Sequence, residues 1–294
     1  MDSKGRKRYG LLMLLPAILM MLVFIAYPVL NTIADSLTNA RMQTSTVEFV
    51  GLDNYISLIS DPVAIAALKF TVLFTVTATS LEAIIGMTLA LIMRRTFKGQ
   101  GAVRAIILIP WTIPTIVLGM MWQFMFAESH GIINHMLLST GAISEAIPWL
   151  TKANWSFLAI LIADAWKTSP YMSLMLLSGL QTIPSEMYEA GSIDGANAVQ
   201  KFVKITLPMM KPVLMVALLF RTVQSFRIYD LVVALTNGGP ANSTQSMTMY
   251  TIKTYFTFGN TGYGAALAIS TFLVSLCIAF LFLDGMKERM GTGK

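Results

Sequence analysis

Six long apolar runs separated by shorter polar stretches organise the chain, at roughly 9–30, 67–93, 103–127, 155–180, 209–235 and 263–283. Each is long enough for the roughly 20 residues that a helix needs to cross the hydrocarbon of a bilayer. The polar stretches between them are 37–66, 94–102, 128–154, 181–208 and 236–262. The first run follows Lys4, Arg6, Lys7 and Arg8, as a secretory signal would. It exceeds the roughly 7–15 apolar residues of such a signal and has no small-residue cleavage site after it. It is therefore expected to stay as a helix over about 9–36. The pattern predicts an all-α integral membrane protein of six transmembrane helices, folded as one domain over 1–294, with its core at about 67–285 and no internal repeat.

The stretch 181–208 is too polar to span a bilayer and too long for a simple helix connection, usually about 2–8 residues. It reads as two short helices, one from 185 to about 194 and one from about 196 to 205. Gly195 is free to make the sharp reversal between them. Pro208 is expected to stop the second, because it has no N–H to donate and crowds the preceding turn. Glu186 and Glu189 lie in the opening turns of the first helix, where acids complement the helix dipole. Small residues at Ala190 and Gly191 would let another surface approach the backbone closely.

Composition supports the membrane reading: 55% of residues are hydrophobic and 12% charged, against about 25% charged in soluble domains. The net charge of +6 matters less than where it lies. Fourteen Lys and Arg residues fall on the side of the N-terminus, 94–102, 181–208 and the C-terminus, and three (Arg41, Lys152, Lys253) on the other. By the positive-inside rule both termini and the 181–208 loop are cytoplasmic, in a multi-pass protein of the cell membrane. The basic clusters read as charges beside anionic lipid, not as a nucleic-acid surface, since no groove-fitting element accompanies them. Cys277 stands alone in an apolar run and reads as a small buried side chain. His130 and His135 lack the flanking ligands of a metal site.

The 181–208 loop resembles a known family. The membrane subunits of ABC importers carry a cytoplasmic loop of pattern E-A-A-x3-G-x9-I-x-L-P. Here it is matched by Glu189, Ala190, then Gly195, then Ile205, Leu207 and Pro208 at the required spacing, with Asp194 just before the central glycine. Gly191 replaces the second alanine, a change that weakens a helix by about 1 kcal/mol. GLDNY at 51–55, PWTIP at 110–114 and FRIYDLVVALTNGGPANST at 226–244 make the chain similar to the carbohydrate branch of that family. The resemblance implies the type I importer membrane-domain fold, with the two-helix loop as the coupling element to an ATPase. It also implies a second, non-identical permease, two ATPase subunits that bind ATP and Mg, and an extracytoplasmic sugar-binding protein. No cofactor and no catalytic residue is expected in this chain, and the absence of a G-x4-G-K-[ST] loop agrees with that division of labour. A glycerol phosphate or other polyol derivative is the alternative cargo. An ion-gradient-driven carrier is the alternative mechanism, although such carriers usually show matching repeated halves.

Intramembrane ionisable groups mark the expected path, because an arginine at a helix centre costs about 2.5–3.5 kcal/mol on the insertion scale. Arg221, Gln224, Arg227 and Asp230 recur every three residues and would form one polar stripe. Two readings stay open: the stripe lines a hydrated sugar path, or Arg227 and Asp230 form an i, i+3 pair that fixes the helix. Trp166, between Asp164 and Lys167, offers a flat face for a sugar ring or merely packs. Pro110, Pro114 and Pro170 are expected to bend or break their helices, which membranes tolerate where the freed carbonyls face protein or water.

Overall fold

The computed structural model describes residues 13–44, 46–95 and 97–290. Among them the structure is helical apart from one isolated antiparallel bridge, Thr38 to Phe49. The elements are α1 (Met13–Ser36), α2 (Asp53–Ser60), α3 (Pro62–Arg94), α4 (Gln100–Thr112), α5 (Thr115–Met125), α6 (Ile132–Ser139), α7 (Ala153–Leu180) and α8 (Ser185–Ile193). They continue with α9 (Ala198–Phe226), α10 (Asp230–Thr236), α11 (Met247–Ile252) and α12 (Thr261–Met290). Lys4, Arg6, Lys7, Arg8 and Lys294 lie outside the described residues.

Four of these helices, α1, α3, α9 and most of α12, are long and apolar enough to cross a membrane, and a fifth span is α4 with α5 if that bent pair counts as one. The sixth expected span, α7, is a single helix of 28 residues. The polar stretch from Asp164 to Pro170 leaves it less apolar than the others.

Three expectations need correction. Pro208 does not end a helix: α9 runs from Ala198 through it. The turn before it, Phe202–Thr206, widens to π geometry and closes with the Leu207 N–H on the Phe202 carbonyl. A widened turn relieves the missing N–H and the ring clash that a proline brings to a regular helix. The fifth apolar run is not one helix to residue 235, because α9 stops at Phe226 and α10 starts at Asp230. Of the prolines expected to bend or break their helices, Pro110 and Pro170 lie inside unbroken helices, whereas the third span does break at Pro114, with α4 and α5 meeting at 92°.

The chain divides into two compact units, residues 1–65 with 250–273 and residues 66–249 with 274–294. In the first, Met42 N–H donates to Gly259 carbonyl at 2.8 Å and Gly262 N–H to Ala40 carbonyl at 2.9 Å, joining the 37–50 loop to the start of α12. The GLDNY stretch closes α1: Asn54 donates to the Ser36 and Thr38 carbonyls at 2.9 and 2.8 Å, and Tyr55 Oη lies 2.7 Å from Ser36 Oγ. Those carbonyls at a helix end have no partner within the helix, so the motif is structural here.

The second unit holds two buried apolar clusters. One includes Phe74, Leu118, Trp122, Phe126, Ile160 and Leu231, where α10 packs on α5. The other includes Met87, Met93, Met172, Leu176, Leu180 and Met210, where α7 packs on α9. Its many methionines suit the irregular gaps between helices. Cys277 is exposed on α12, contrary to the expected buried position; that helix is only 11% buried over its apolar window, so most of its surface faces outward.

Candidate functional site

The 181–208 stretch folds as a helical hairpin whose turn is built on Gly195. α8 ends in a left-handed residue, Gly195 with φ +77°. Ala196 N–H returns to the Gly191 carbonyl at 2.8 Å and Gly195 N–H to the Ser192 carbonyl at 3.1 Å. This paired closure satisfies carbonyls that a helix end otherwise orphans. Asn197 then starts α9 with a capping box, its side chain accepting from Gln200 N–H while Gln200 Oε1 accepts from Asn197 N–H.

Gly191 is where the two halves touch. A Cβ placed there would come within 3.0 Å of Ile205 Cδ1, so the glycine lets Ile205 lie against the α8 backbone. Tyr188 Oη to Thr206 Oγ1 at 2.9 Å and Lys201 Nζ to Ser192 Oγ at 3.1 Å hold the same pairing. The outer face is left open: Glu189, Ala190, Asp194, Gly195, Leu207 and Pro208 are exposed. Ile193 is 87% and Val199 70% exposed. Two apolar side chains thus stand in the open on an otherwise polar hairpin.

The polar stripe of the fifth apolar run is divided. Arg221 is buried, and its guanidinium bridges two helices that the sequence did not pair with it. Nε and Nη2 both meet the Glu82 carboxylate of α3, the second at 2.7 Å, and Nη2 also reaches Asp164 Oδ2 of α7 at 2.5 Å. Thr168 Oγ1 donates to Glu82 at 2.8 Å. These are the ion pairs among the described residues, so Arg227 and Asp230 do not pair with each other. The helix end at Phe226 removes the i, i+3 geometry such a pair needs. Gln224, Arg227 and Asp230 are exposed, and Gln224 accepts weakly from Arg221 at 3.5 Å.

Trp166 is 40% exposed and meets Trp122 edge-on at 5.8 Å. It lines a cleft of about 470 Å³ with Leu81, Ile106, Pro110, Ile162 and Ser169. The wall is apolar except for Ser169, so a sugar would find one ring face and few polar partners. Beside it, Lys167 Nζ donates to the Ile113 carbonyl at 2.5 Å and lies 3.5 Å from that of Trp111. Lysine thus satisfies carbonyls at the broken PWTIP stretch, where Trp111 also stacks on Tyr171 at 5.2 Å.

With this arrangement in view, residues 82–283 match the family described as binding-protein-dependent transport system inner membrane component. The chain is 41% identical over 276 residues to the trehalose/maltose transport system permease protein MalF of Thermococcus litoralis, covering 94% of this chain and 92% of that protein. It belongs to this family of permeases. A second relative of the permease is the sulfoquinovosyl glycerol transport system permease protein SmoG of Agrobacterium fabrum, 36% identical over 97% of this chain and 92% of that one. A crystal structure of a bacterial ABC transporter that imports the acidic polysaccharide alginate aligns with TM-score 0.84 and 23% identity over 99% of both chains. At that identity it speaks for a shared fold. The permease is a multi-pass protein of the inner membrane.

The sequence missed Glu82, yet the signal was there: it is the lone acid in the apolar run of α3. A carboxylate in that position is too costly to face lipid and implies a buried cation. Lys167 was visible as an interruption, but its partners are backbone carbonyls 54 and 56 residues away, which no local pattern reveals.

Proposed function

We propose that this chain is a membrane-spanning subunit of an ATP-driven importer that passes a sugar, delivered by an extracytoplasmic binding protein, into the cytoplasm by alternating access. In this reading six helices span the bilayer, with α4 and α5 as one broken span and both termini inside. A second, non-identical permease completes the path, and two separate ATPase subunits bind ATP and Mg. The observation that carries the reading is the exposed hairpin of α8 and the start of α9, with Glu189, Ala190, Gly191, Asp194 and Gly195 on one side and Ile205, Leu207 and Pro208 on the other. Names among its relatives, trehalose/maltose above all, support a sugar as cargo. Gln224, Arg227 and Asp230, exposed at the break between α9 and α10, are the path residues; Arg221 holds helices beside it.

The test is reconstitution of the permease with its ATPase and binding-protein partners in vesicles. Uptake should need ATP, the binding protein and the hairpin. Gly195→Val should abolish uptake, since no L side chain branched at Cβ sits readily at positive φ; Gly195→Asn should keep most of it, since asparagine tolerates that conformation. Uptake that persists without the ATPase subunits would replace this mechanism with an ion-driven one.

A second reading concerns the cargo: an acidic sugar or polyol derivative such as a glycerol phosphate. The exposed Arg227 supports it, together with the sulfoquinovosyl glycerol named for one relative. Arg227→Gln would then lower uptake of an anionic cargo far more than of a neutral disaccharide.

A further inference from the structure

A cleft of about 830 Å³ lies between the end of α3 and the start of α9. Its walls carry Leu91, Arg94, Arg95, Tyr188, Lys201 and Phe202, and no carboxylate lines it among the described residues. The ion pairs among the described residues all involve Arg221, so Arg94, Arg95 and Lys201 have no described acid within ion-pairing distance. Arg94 instead lies over the Tyr188 ring, 4.5 Å from its centre. Lys201 donates to Ser192 Oγ, and ammonium and guanidinium groups keep further donors beyond such single contacts.

The position of the cleft along the helix narrows what it fits. α3 is a spanning helix, and Arg94 and Arg95 end it. Leu91 stands about one helical turn, roughly 5 Å, before them. Along α3 the cleft wall passes from apolar Leu91 to cationic Arg94 and Arg95, and on α9 it sets Lys201 among Ala198, Val199 and Phe202. That polarity matches an acyl chain carrying an anionic phosphate headgroup, and a small anion would leave the apolar part unused. We propose that this cleft binds an anionic phospholipid. Its phosphate would lie among Arg94, Arg95 and Lys201, and the upper part of an acyl chain along Leu91 and Phe202. Arg95 and Arg94 would supply forked donors suited to phosphate oxygens. Most of the cleft wall belongs to the hairpin, through Tyr188, Val199, Lys201 and Phe202 among others, so a bound lipid would touch the proposed coupling element directly.

The experiment equilibrates the purified full-length chain in detergent with phosphatidylglycerol and phosphatidylcholine of identical acyl chains, and counts retained lipids by native mass spectrometry. The wild type should retain phosphatidylglycerol over phosphatidylcholine by on the order of tenfold, as expected for a few cations at an anionic headgroup. Equal retention of the two would overturn the proposal, and this arm needs no variant. Arg94→Gln/Arg95→Gln/Lys201→Gln should lose the preference while its circular dichroism stays that of the wild type, and Lys152→Gln should keep it. A triple variant that keeps the preference would also overturn the proposal. Inorganic phosphate should fail to displace the lipid; displacement at millimolar phosphate would make this a small-anion site instead. The lipid should remain bound once the ATPase subunits assemble, and its expulsion at that step would assign the cleft to the subunit interface.

Discussion

At the scale of single residues, the network around Arg221 carries the largest energetic stake. Glu82 and Asp164 approach it from two helices, and each is buried. Arg221→Ala would leave two carboxylates in a dry site, and breaking a buried pair in this way costs about 3–5 kcal/mol. The permease should then lose thermal stability in detergent by a margin readable in a melting curve. Adding Glu82→Gln and Asp164→Asn to that variant should restore much of it, because the uncompensated charges are gone. If Arg221→Ala melts as the wild type does, the network is not structural and the residue returns to the transport path. Half of this site was legible from sequence: an arginine in an apolar run demands a partner, but which carboxylates meet it depends on how α3, α7 and α9 pack. Asp61 offers a second test. It accepts from Tyr250 Oη at 2.6 Å and Tyr263 Oη at 2.7 Å, with Val63 N–H on its other oxygen at 2.8 Å. Partial burial pushes its pKa up, but the bonds from Tyr250, Tyr263 and the N–H groups of Val63 and Ala64 outweigh that and hold it below the usual value. Burial, followed by the bond to Asp61, pushes the Tyr250 hydroxyl up to about 12, so it stays a donor at neutral pH. Because the folded carboxyl is the stronger acid, its contribution is full above the ordinary value of about 3.9 and fades as pH falls through the lower folded value. Melting followed from neutral to acid pH should show that loss in the wild type and not in Asp61→Asn, which should also be the less stable of the two at neutral pH. Parallel curves would mean that the carboxylate contributes nothing.

At the scale of elements, the apolar runs located the long helices well and their interruptions poorly. The apolar runs at 67–93 and 155–180 became α3 and α7 with ends shifted by a few residues, because a span of apolar side chains can only be a helix in lipid. Interruptions follow from tertiary partners. The third span breaks at Pro114, while Pro110 and Pro170 lie inside intact helices, and a proline alone does not distinguish these outcomes. What differs is Lys167, whose ammonium serves the Ile113 and Trp111 carbonyls exposed at the break. Pro208 teaches the same lesson in reverse, since the π turn at Phe202–Thr206 absorbs it and α9 continues. Lys167→Met removes the donor but keeps the aliphatic stem, and a buried carbonyl left unpaired costs about 1–3 kcal/mol. The break between α4 and α5 should loosen, which hydrogen exchange at residues 111–116 would report as faster exchange there and unchanged rates in α7. Lys167→Arg, which keeps a charged donor, should exchange nearly as the wild type. Equal protection in the methionine variant would show that water or the α7 packing alone holds the bend.

At the scale of the whole molecule, the coupling role proposed for the hairpin depends on orientation. By the positive-inside rule, the imbalance of fourteen basic residues against three is expected to put α8, the start of α9 and the cationic end of α3 on one side of the membrane. The opposite side then receives Arg41, Lys152 and Lys253. That arrangement is decisive for function, because ATP is hydrolysed in the cytoplasm and a hairpin on the outer face could not meet an ATPase. Cys277 makes the test simple to prepare: it is the single cysteine of the chain and exposed, so Cys277→Ser gives a background free of thiols. Into it are placed, one at a time, Lys152→Cys in the loop before α7, Ser192→Cys in the hairpin and Lys98→Cys after α3. In intact cells a membrane-impermeant maleimide should label only the variant at position 152, and after permeabilisation all three should react. Labelling of positions 98 and 192 before permeabilisation would invert the protein and remove the hairpin from any contact with ATP-bound subunits. It would also move the lipid cleft to the outer leaflet, so the same reagent decides both placements.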